Sequence, residues 1–226
     1  KYMASSIYNV AVEDVTKDQR FVGKTTILGA GYGMGWEKFG MQLKSLGFEV
    51  SEEEARRIIS IYREANFNIS LVWRDANNMV KHLAKGRAMS FGKKGVITVD
   101  AENSALIVPS GLSIFYPELK GEKSEQGFEY TYKTRRMRTR LYGGKVIENV
   151  CQALARCIIG EQMLRIGKRY QVALTVHDSI LCCVPDAEVA EAQAFIEANM
   201  RWAPDWAAGL PVDCESGFGK SYGDCE

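Results

Sequence analysis

The sequence predicts an α+β fold, with helices in its first part and an antiparallel sheet with packed helices in its second. Over residues 1–94 the apolar side chains recur at the three- and four-residue spacing of amphipathic helices. Beyond these residues that period is lost, and short apolar runs at 96–99, 105–108 and 114–116 indicate strands. We therefore predict a helical domain over residues 1–94 and a mixed domain over residues 95–226.

The composition is that of an ordinary globular protein. Hydrophobic residues make up 46% of the chain and charged residues 25%, values typical of a folded domain. The formal net charge is +1, so only local patches of charge can indicate a polyanionic partner. No apolar run approaches the ~18 residues of a membrane span, and we predict no membrane association. The six cysteines include no Cys-x-x-Cys pair, so we interpret them as reduced thiols of a cytosolic protein.

Capping residues mark the starts of two predicted helices. Thr16 is followed three residues later by Gln19, and Ser51 by Glu54, and both pairs match the capping box. The asparagines of residues 66–68 compete for backbone hydrogen bonds, so we predict a break between two helices there. A short helix before Thr16 and another between the two capping boxes complete the helical part.

The helix that begins at Thr16 carries a candidate ligand site. Arg20, Lys24, Leu28 and Tyr32 recur every fourth residue, which places two cations, an apolar side chain and an aromatic ring in one stripe. Cations bind phosphates, and the apolar and aromatic groups offer a surface to a base or a sugar. The stripe therefore suits a nucleoside triphosphate, although the same spacing also fits a solvated face with one core aromatic.

The glycine cluster along this stripe does not match two known phosphate motifs. Gly23 and Lys24 resemble the end of a Walker loop, but Asp18 stands where the first glycine is required. In residues 29–35, Met34 occupies the place of the third glycine of a dinucleotide fingerprint, and no strand precedes the run. Both motifs are excluded.

In the second part, a polar segment and a basic segment precede a long helix. Residues 121–127 are charged and polar, and we predict a mobile loop. Residues 133–140 contain five cations and no acid, and they are either a solvated basic strand or a contact for a nucleic-acid backbone. Apolar residues at helical spacing over 145–165 indicate a long packed helix, with Asn149 and Gln152 on or near its apolar face.

Two apolar strands flank a polar tip near the C-terminus. Residues 172–176 and 180–184 are mostly apolar, with His177 and Asp178 between them, so we predict a β-hairpin with both arms buried. Asp178 then projects from a rigid tip as a candidate metal ligand, although turns also favour aspartate for local hydrogen bonds. Two further elements are predicted to end the fold: a helix over 187–202 and a strand over 210–214.

Together these motifs resemble family A DNA polymerases. The set similar to the fingers helix of that family is Gln19-Arg20, Lys24, Leu28-Gly29 and Tyr32-Gly33, and the set similar to its palm hairpin is Val176-His177-Asp178. The set similar to the palm helix of phage members is 142–145, Glu148-Asn149 and Gln152-Ala153. The resemblance covers nearly the whole chain. It implies the C-terminal portion of a phage-type polymerase, with a helical fingers subdomain over 1–94 and the C-terminal part of the palm over 95–226.

The resemblance implies template-directed DNA synthesis, with nucleotidyl transfer from a dNTP to a primer 3′-hydroxyl by a two-metal mechanism. It assigns catalysis to Asp178, Lys24 and Arg20, and Mg2+ binding to Asp178. It assigns contacts with the nucleotide to Leu28, Tyr32, Gly33 and Gln19. It assigns contacts with primer-template DNA to Gln152, Asn149, His177, Arg138 and Arg140.

The resemblance also implies partners and a location. The other catalytic aspartate of the family lies on a strand upstream of this chain, so we expect an upstream polymerase polypeptide, in addition to primer-template DNA and dNTP. The first residue is Lys1 rather than an initiator methionine, which fits part of a longer or split polymerase. The expected location is the cytoplasm, and the host cytoplasm for a phage protein.

The chain departs from the family pattern at four positions. Leu28 stands where the family has phenylalanine or tyrosine, and we expect it to alter discrimination against dideoxynucleotides. Leu112 replaces an arginine after a Pro-Ser-Gly turn, and Cys157 replaces an aspartate of the long helix. Ser179 replaces a glutamate that usually follows the palm aspartate.

Two other functions are compatible with the sequence. A non-catalytic nucleic-acid-binding module that kept the fold would not need Asp178 for primer extension. An ordinary helical nucleotide-binding protein would bind ATP without any dependence on DNA.

Overall fold

The chain folds into a helical first part and a mixed second part, which confirms the predicted α+β class. The computed structural model describes residues 1–92, 95–124 and 127–225. The α-helices of these residues are α1 (Tyr2–Tyr8), α2 (Lys17–Ala30), α3 (Trp36–Ser45), α4 (Glu52–Ala65), α5 (Phe67–Leu83), α6 (Gly143–Ile166) and α7 (Val189–Met200).

Short antiparallel strands follow the first five helices. They are β1 (Ser90–Phe91), β2 (Ile97–Asp100), β3 (Ala105–Ile107), β4 (Ser113–Phe115), β5 (Lys120–Ser124), β6 (Gly127–Lys133), β7 (Arg138–Leu141), β8 (Gln171–Val176) and β9 (Ser179–Cys183). Strands β1 to β4 form one sheet in sequence order, β5 to β7 form a second, and β8 and β9 form a hairpin. Within each sheet, strands that are consecutive in the chain are therefore paired.

Side-chain caps fix the starts of α2 and α4. Thr16 Oγ1 accepts a hydrogen bond from the Gln19 N–H at 3.2 Å, and Gln19 Oε1 accepts one from the Thr16 N–H at 3.0 Å, which confirms the first capping box. Ser51 Oγ accepts from the Glu54 N–H at 3.1 Å. The Glu54 carboxylate pairs with Arg57 at 2.7 Å instead of closing the box, so the second capping box is only half formed.

The first helices share one apolar core. Asn66 ends α4 and immediately precedes α5, which confirms the predicted break. Its side chain donates a hydrogen bond to the Tyr62 carbonyl at 3.0 Å and so satisfies an end carbonyl of α4. The buried members of this core are Met3, Ile7, Val22, Ala30, Phe39, Leu43, Ala55, Ile58, Ile59 and Tyr62.

The prediction of a mobile loop over residues 121–127 is wrong for those residues of this segment that the structure describes. Lys120–Ser124 and Gly127–Lys133 are paired strands, and residues 125 and 126 lie outside the described part. The pairing is possible because Gly121 has no side chain: a Cβ there would lie 2.5 Å from the Phe128 ring. Two aromatic rings, Phe128 and Tyr130, contact each other above this glycine. Cross-strand packing thus makes a strand from a polar segment.

The C-terminal elements differ from prediction in two respects. The hairpin of β8 and β9 forms as predicted, but its arms are not buried, and Leu174 and Val176 remain 41% and 39% exposed. Residues 210–214 form no strand. The Arg201 guanidinium instead holds this segment, by bonds to the Asp213 carboxylate at 2.8 Å and the Cys214 carbonyl at 3.1 Å. Side-chain bonds therefore replace the expected sheet pairing.

Packing divides the chain into two compact units. The first comprises Lys1–Ile107 and Ser113–Val150, and the second Val108–Leu112 and Cys151–Glu226. Helix α6 contributes residues to both. The boundary predicted between residues 94 and 95 concerns functional subdomains, and it stays a prediction.

The six cysteines are free thiols in this structure. Burial raises the pKa of the Cys151 and Cys182 thiols, which favours the protonated form. Among the described residues, no helix combines the length and the apolar character needed to cross a bilayer.

Candidate functional site

The ligand stripe of α2 faces solvent. Arg20, Lys24 and Leu28 lie on α2 and are exposed, whereas Tyr32 lies in the turn after the end of α2 at Ala30 and is half-buried, so the predicted stripe is helical only as far as Leu28. Beside the stripe, Gly23 lies against α1, where an added Cβ would be 2.8 Å from the Ala4 nitrogen. Neither cation has an ion-pair partner within residues 1–92, 95–124 and 127–225. In the described part of the chain, α2 therefore presents two positive charges without an ion-pair partner on an exposed face.

Gln19, which the resemblance assigns to nucleotide binding, also caps the start of α2. Its side-chain oxygen accepts the Thr16 N–H of the capping box at 3.0 Å. This bond leaves the side-chain amide nitrogen of Gln19 to donate to a ligand. Its contact with a nucleotide stays a prediction.

The turn that follows α2 is held by the start of α6. Gly33 has φ +83°, a conformation that favours glycine. A Cβ on Gly144 would lie 2.3 Å from the Tyr32 carbonyl oxygen, and one on Gly143 would lie 1.9 Å from the Trp73 carbonyl oxygen. The Gly143 N–H donates to Asn77 Oδ1 at 2.7 Å. Two consecutive glycines thus allow α6 to begin against both α2 and α5.

A pocket of about 280 Å³ opens beside this junction. Within the described chain, Ser70 Oγ and Trp73 Nε1 are buried without a hydrogen-bond partner. Burial, and to a smaller extent the Tyr32 hydroxyl, raises the pKa of Tyr62. The lining residues are Gly33, Arg63, Ser70, Trp73, Asn77, Tyr142 and Gly144. Sequence analysis missed most of this pocket, and the Gly143-Gly144 pair was the only signal that could have indicated a close contact there.

The Asn149 side chain forms a hydrogen bond within the first unit. Its side-chain amide donates to the Tyr116 hydroxyl at 3.1 Å. Burial raises the pKa of Tyr116 to about 12, while the Asn149 bond acts in the opposite direction. The Asn149 side-chain oxygen is left to accept bonds from a ligand. Gln152, three residues along α6, is exposed.

In the second unit, the β8–β9 hairpin presents Asp178 at its tip. His177 adopts a left-handed conformation with φ 54°, and Ser179 Oγ donates to the Val176 carbonyl at 2.8 Å. Val176 and Ser179 are the last strand pair. His177 and Asp178 are both exposed. The turn therefore holds one carboxylate on a defined backbone and open to solvent.

The described residues do not complete a metal site around Asp178. Magnesium takes several hard oxygen ligands in octahedral geometry. In the part of the chain that the structure describes, no three histidine, cysteine, aspartate or glutamate side chains cluster in a way that could hold a metal ion. The Asp178 carboxylate has the right chemistry for one ligand of such a site.

Two arginines assigned to the DNA backbone already have internal partners. Arg138 donates to the Glu118 carbonyl at 2.7 Å and to the Thr131 carbonyl at 2.9 Å. Arg140 lies 3.0 Å from the Glu129 carboxylate. Their predicted contact with DNA remains a prediction, and it would require these arginines to exchange partners.

Cys157, one of the residues that depart from the family pattern, forms a defined contact. Cys157 is buried in α6, and its sulfur lies 3.0 Å from the Ser110 hydroxyl of the Pro-Ser-Gly turn. Leu112, at the end of the same turn, is 64% exposed. The turn and the helix thus meet through a thiol and a hydroxyl.

Known DNA polymerases are similar to this chain over nearly all of it. The model of DNA polymerase family A matches residues 1–224. A DNA polymerase of Bacillus phage SP02 is 30% identical over 231 residues, covering 97% of the chain and 35% of that protein. A DNA polymerase of Bacillus phage SP01 is 23% identical, covering 99% of the chain and 22% of that protein. The chain spans about a third or less of the length of these two relatives.

The fold is also similar to a solved structure. This is the POL domain of Pol1 from M. smegmatis in complex with DNA primer-template and dNTP, with a TM-score of 0.63. The match covers 95% of the present chain and 32% of the other, at 21% sequence identity. At that identity the likeness concerns the fold alone.

Proposed function

This chain belongs to DNA polymerase family A, and we propose that it supplies the nucleotide-binding helix and one metal-binding carboxylate for template-directed DNA synthesis. The observation that carries the proposal is the open cationic face of α2. Among the residues that the structure describes, Arg20 and Lys24 have no ion-pair partner, so a triphosphate can supply the counter-charge. The proposed reaction is nucleotidyl transfer from a dNTP to a primer 3′-hydroxyl.

The proposed roles along α2 follow the order of groups in a dNTP. Arg20 and Lys24 bind phosphates and stabilise the charge that develops on them during transfer. Leu28 and Tyr32 contact the sugar and base, Gly33 lets the chain turn beside them, and the Gln19 amide donates to the substrate. The junction with Gly144 holds Tyr32 in place.

Asp178 is proposed to hold catalytic Mg2+ as one of several ligands. In a two-metal mechanism, a pair of divalent ions stabilises the attacking and leaving oxygens of the displacement. Asp178 alone does not complete such a site, so we propose that an upstream polymerase polypeptide carries the other catalytic aspartate. A longer or split polymerase with this chain as its C-terminal part satisfies that requirement.

Primer-template DNA is the proposed macromolecular partner. We propose that Gln152, Asn149 and His177 contact the primer-template terminus, because all three carry polar groups that can hydrogen-bond to base edges or sugars. The M. smegmatis structure was solved with primer-template and dNTP, which supports both partners. We also propose fingers over residues 1–94, palm over 95–226, and, from the phage relatives, action in the host cytoplasm.

The catalytic proposal is tested by primer extension with the whole polymerase that contains this chain. Loss of a metal-binding carboxylate removes several kcal/mol of transition-state stabilisation, so Asp178→Ala should lower kcat by at least ~1000-fold. DNA affinity should be retained. The matched control is Asp186→Ala, which removes an exposed carboxylate just after the same hairpin. An Asp178→Ala enzyme that extends primers at the unaltered rate would contradict the proposal.

The same comparison distinguishes the main alternative, a non-catalytic nucleic-acid-binding module. That alternative is favoured by one observation, the lone Asp178 followed by Ser179 where a second carboxylate is usual. Under this alternative, the rate of primer extension does not depend on Asp178.

A separate test addresses nucleotide binding by the 226-residue chain. Lys24→Ala should weaken binding of a fluorescent dNTP in the presence of primer-template, whereas Lys38→Ala, an exposed lysine on α3, should not. Equal affinities for both variants and the parent would remove Lys24 from the site. Binding of ATP that is indifferent to DNA would favour an ordinary nucleotide-binding protein.

A further inference from the structure

The five cations of residues 133–140 are not equivalent in the fold. Lys133 Nζ lies 2.9 Å and Arg138 Nη1 3.4 Å from the two oxygens of the Glu118 carboxylate. Arg140 is paired with Glu129 at 3.0 Å. The bond from Lys133 is the main reason that the pKa of Glu118 lies below its usual value. Three of the cations therefore have acidic partners inside the molecule.

The other two cations occupy the tip of the hairpin between β6 and β7. The Thr134 N–H donates to the Met137 carbonyl at 2.8 Å, and the Met137 N–H donates to Thr134 Oγ1 at 3.1 Å. These bonds close a tight turn with Arg135 and Arg136 at its centre, and both side chains are exposed. Neither has an ion-pair partner in the described residues. Met137, beside them, is 67% exposed.

We propose that Arg135 and Arg136 bind the phosphodiester backbone of duplex DNA, and that Lys133, Arg138 and Arg140 hold the hairpin that presents them. This inference rests on the proposed function, because it takes primer-template DNA as the partner. Under this proposal the main contact with the DNA backbone is made by the turn between β6 and β7, and not by Arg138 and Arg140 of β7.

Charge and hydrogen bonding both favour Arg135 and Arg136, rather than the strand arginines, as the residues that bind phosphate. Arg138 would have to release two backbone carbonyls and a threonine hydroxyl to reach a phosphate, and leaving such acceptors unpaired is costly. The pair of Arg140 with Glu129 is only partly exposed, and breaking it costs about 1 kcal/mol. Glu129 would then lie beside the phosphate and repel it. Arg135 and Arg136 have neither obstacle.

The rigidity of the tip adds to its suitability. The Glu118 bonds to Lys133 and Arg138 fix the base of the hairpin to the segment before β5, and the Thr134 bonds fix its end. Because the backbone of this turn is already ordered, only the side chains of Arg135 and Arg136 lose freedom on binding, which favours affinity.

The test is the salt dependence of DNA binding by the 226-residue chain. Affinity for a fluorescent primer-template duplex is measured by anisotropy over a series of salt concentrations. Each phosphate contact contributes ~0.9 to the slope of log affinity against log salt. The double variant Arg135→Gln, Arg136→Gln should therefore lose ~1.8 from that slope. The matched control, Arg74→Gln with Arg87→Gln, removes the same charge from two exposed arginines outside the hairpin and should change the slope by much less.

Two further variants distinguish binding from folding. Arg135→Lys with Arg136→Lys should restore most of the slope, since an ammonium group also neutralises phosphate. Circular dichroism should show the same melting temperature for the Gln, Lys and parent chains, because both side chains lie outside the packed structure.

Three outcomes would overturn the inference. The first is an unchanged slope in the tip variant when the parent binds DNA, which leaves the proposed function standing. The second is an equal loss in the Arg74 and Arg87 control, which would assign the effect to overall charge. The third is a whole polymerase containing this chain that does not bind primer-template DNA, which would overturn the proposed function as well.

Discussion

Substitution of Gly143 by alanine should be unusually damaging for so small a change. The new Cβ would lie 1.9 Å from the Trp73 carbonyl oxygen, whereas real Cβ contacts do not fall below 3.0 Å. Backbone atoms of α5 or α6 must then move by about 1 Å, and such overpacking costs about 1–3 kcal/mol. The movement also strains the 2.7 Å bond from Gly143 to Asn77, worth about 1 kcal/mol. The expected loss in the free energy of unfolding is about 2–4 kcal/mol.

This loss is measurable by thermal unfolding of the 226-residue chain. At about 2–4 °C per kcal/mol for a chain of this size, the melting temperature should fall by roughly 5–15 °C. Gly160→Ala is the control, because Gly160 lies in the same helix with no atom within 4 Å of the added Cβ. That variant should be stabilised by about 1 kcal/mol, the usual gain of alanine over glycine in a helix. A Gly143→Ala chain as stable as the parent would show that α5 and α6 do not approach as described.

Two further predictions concern Tyr116 and Leu28. Burial raises the pKa of Tyr116 to about 12, above the ~10 of an unfolded tyrosine, so its contribution to stability is complete below pH ~10 and is lost as the pH rises towards 12. Tyr116→Phe should therefore show a smaller fall in unfolding free energy between these pH values, and equal falls would contradict this account. Leu28→Phe in the whole polymerase should change the ratio of dideoxynucleotide to deoxynucleotide incorporation, and identical ratios would remove Leu28 from sugar selection.

Local chemistry predicted the helices well. The reciprocal bonds of Thr16 and Gln19 involve residues three apart, so the start of α2 is visible in the sequence. The same holds for Asn66 between α4 and α5. The second capping box failed because Arg57 competes for the Glu54 carboxylate, and the capping pattern takes no account of a cation three residues further on.

Contacts between distant residues were the main source of error. The strand β5 depends on aromatic rings of β6 packing over Gly121, and its own polar residues do not show this. The exposed arms of the β8–β9 hairpin show the opposite error, because an apolar composition indicates what can be buried and not which surface is available to cover it. The contact between Asn77 and Gly143 joins residues 66 apart, and nothing in the local sequence marks Asn77 as a partner.

For the candidate site, the sequence indicates which types of residue are present, whereas their contacts become visible only in the structure. The placement of Arg20 and Lys24 on one face of α2 follows from helical spacing, and the structure shows that this face is exposed. The basic run was correctly identified as cationic, but its division into paired strand residues and unpaired tip residues depends on Glu118 and Glu129. Those acids lie outside the run, so a local count of charges could not reveal them.

The capping bond of Gln19 has a consequence for mutagenesis. Its side-chain oxygen closes the first turn of the helix that carries Arg20 and Lys24, so a Gln19→Ala enzyme would combine a frayed helix with a missing substrate contact. Kinetic loss in that enzyme would overstate what the amide does for the nucleotide. Thr16→Ala disturbs the same turn without touching a residue assigned to the substrate, and subtracting its effect isolates the part that belongs to recognition.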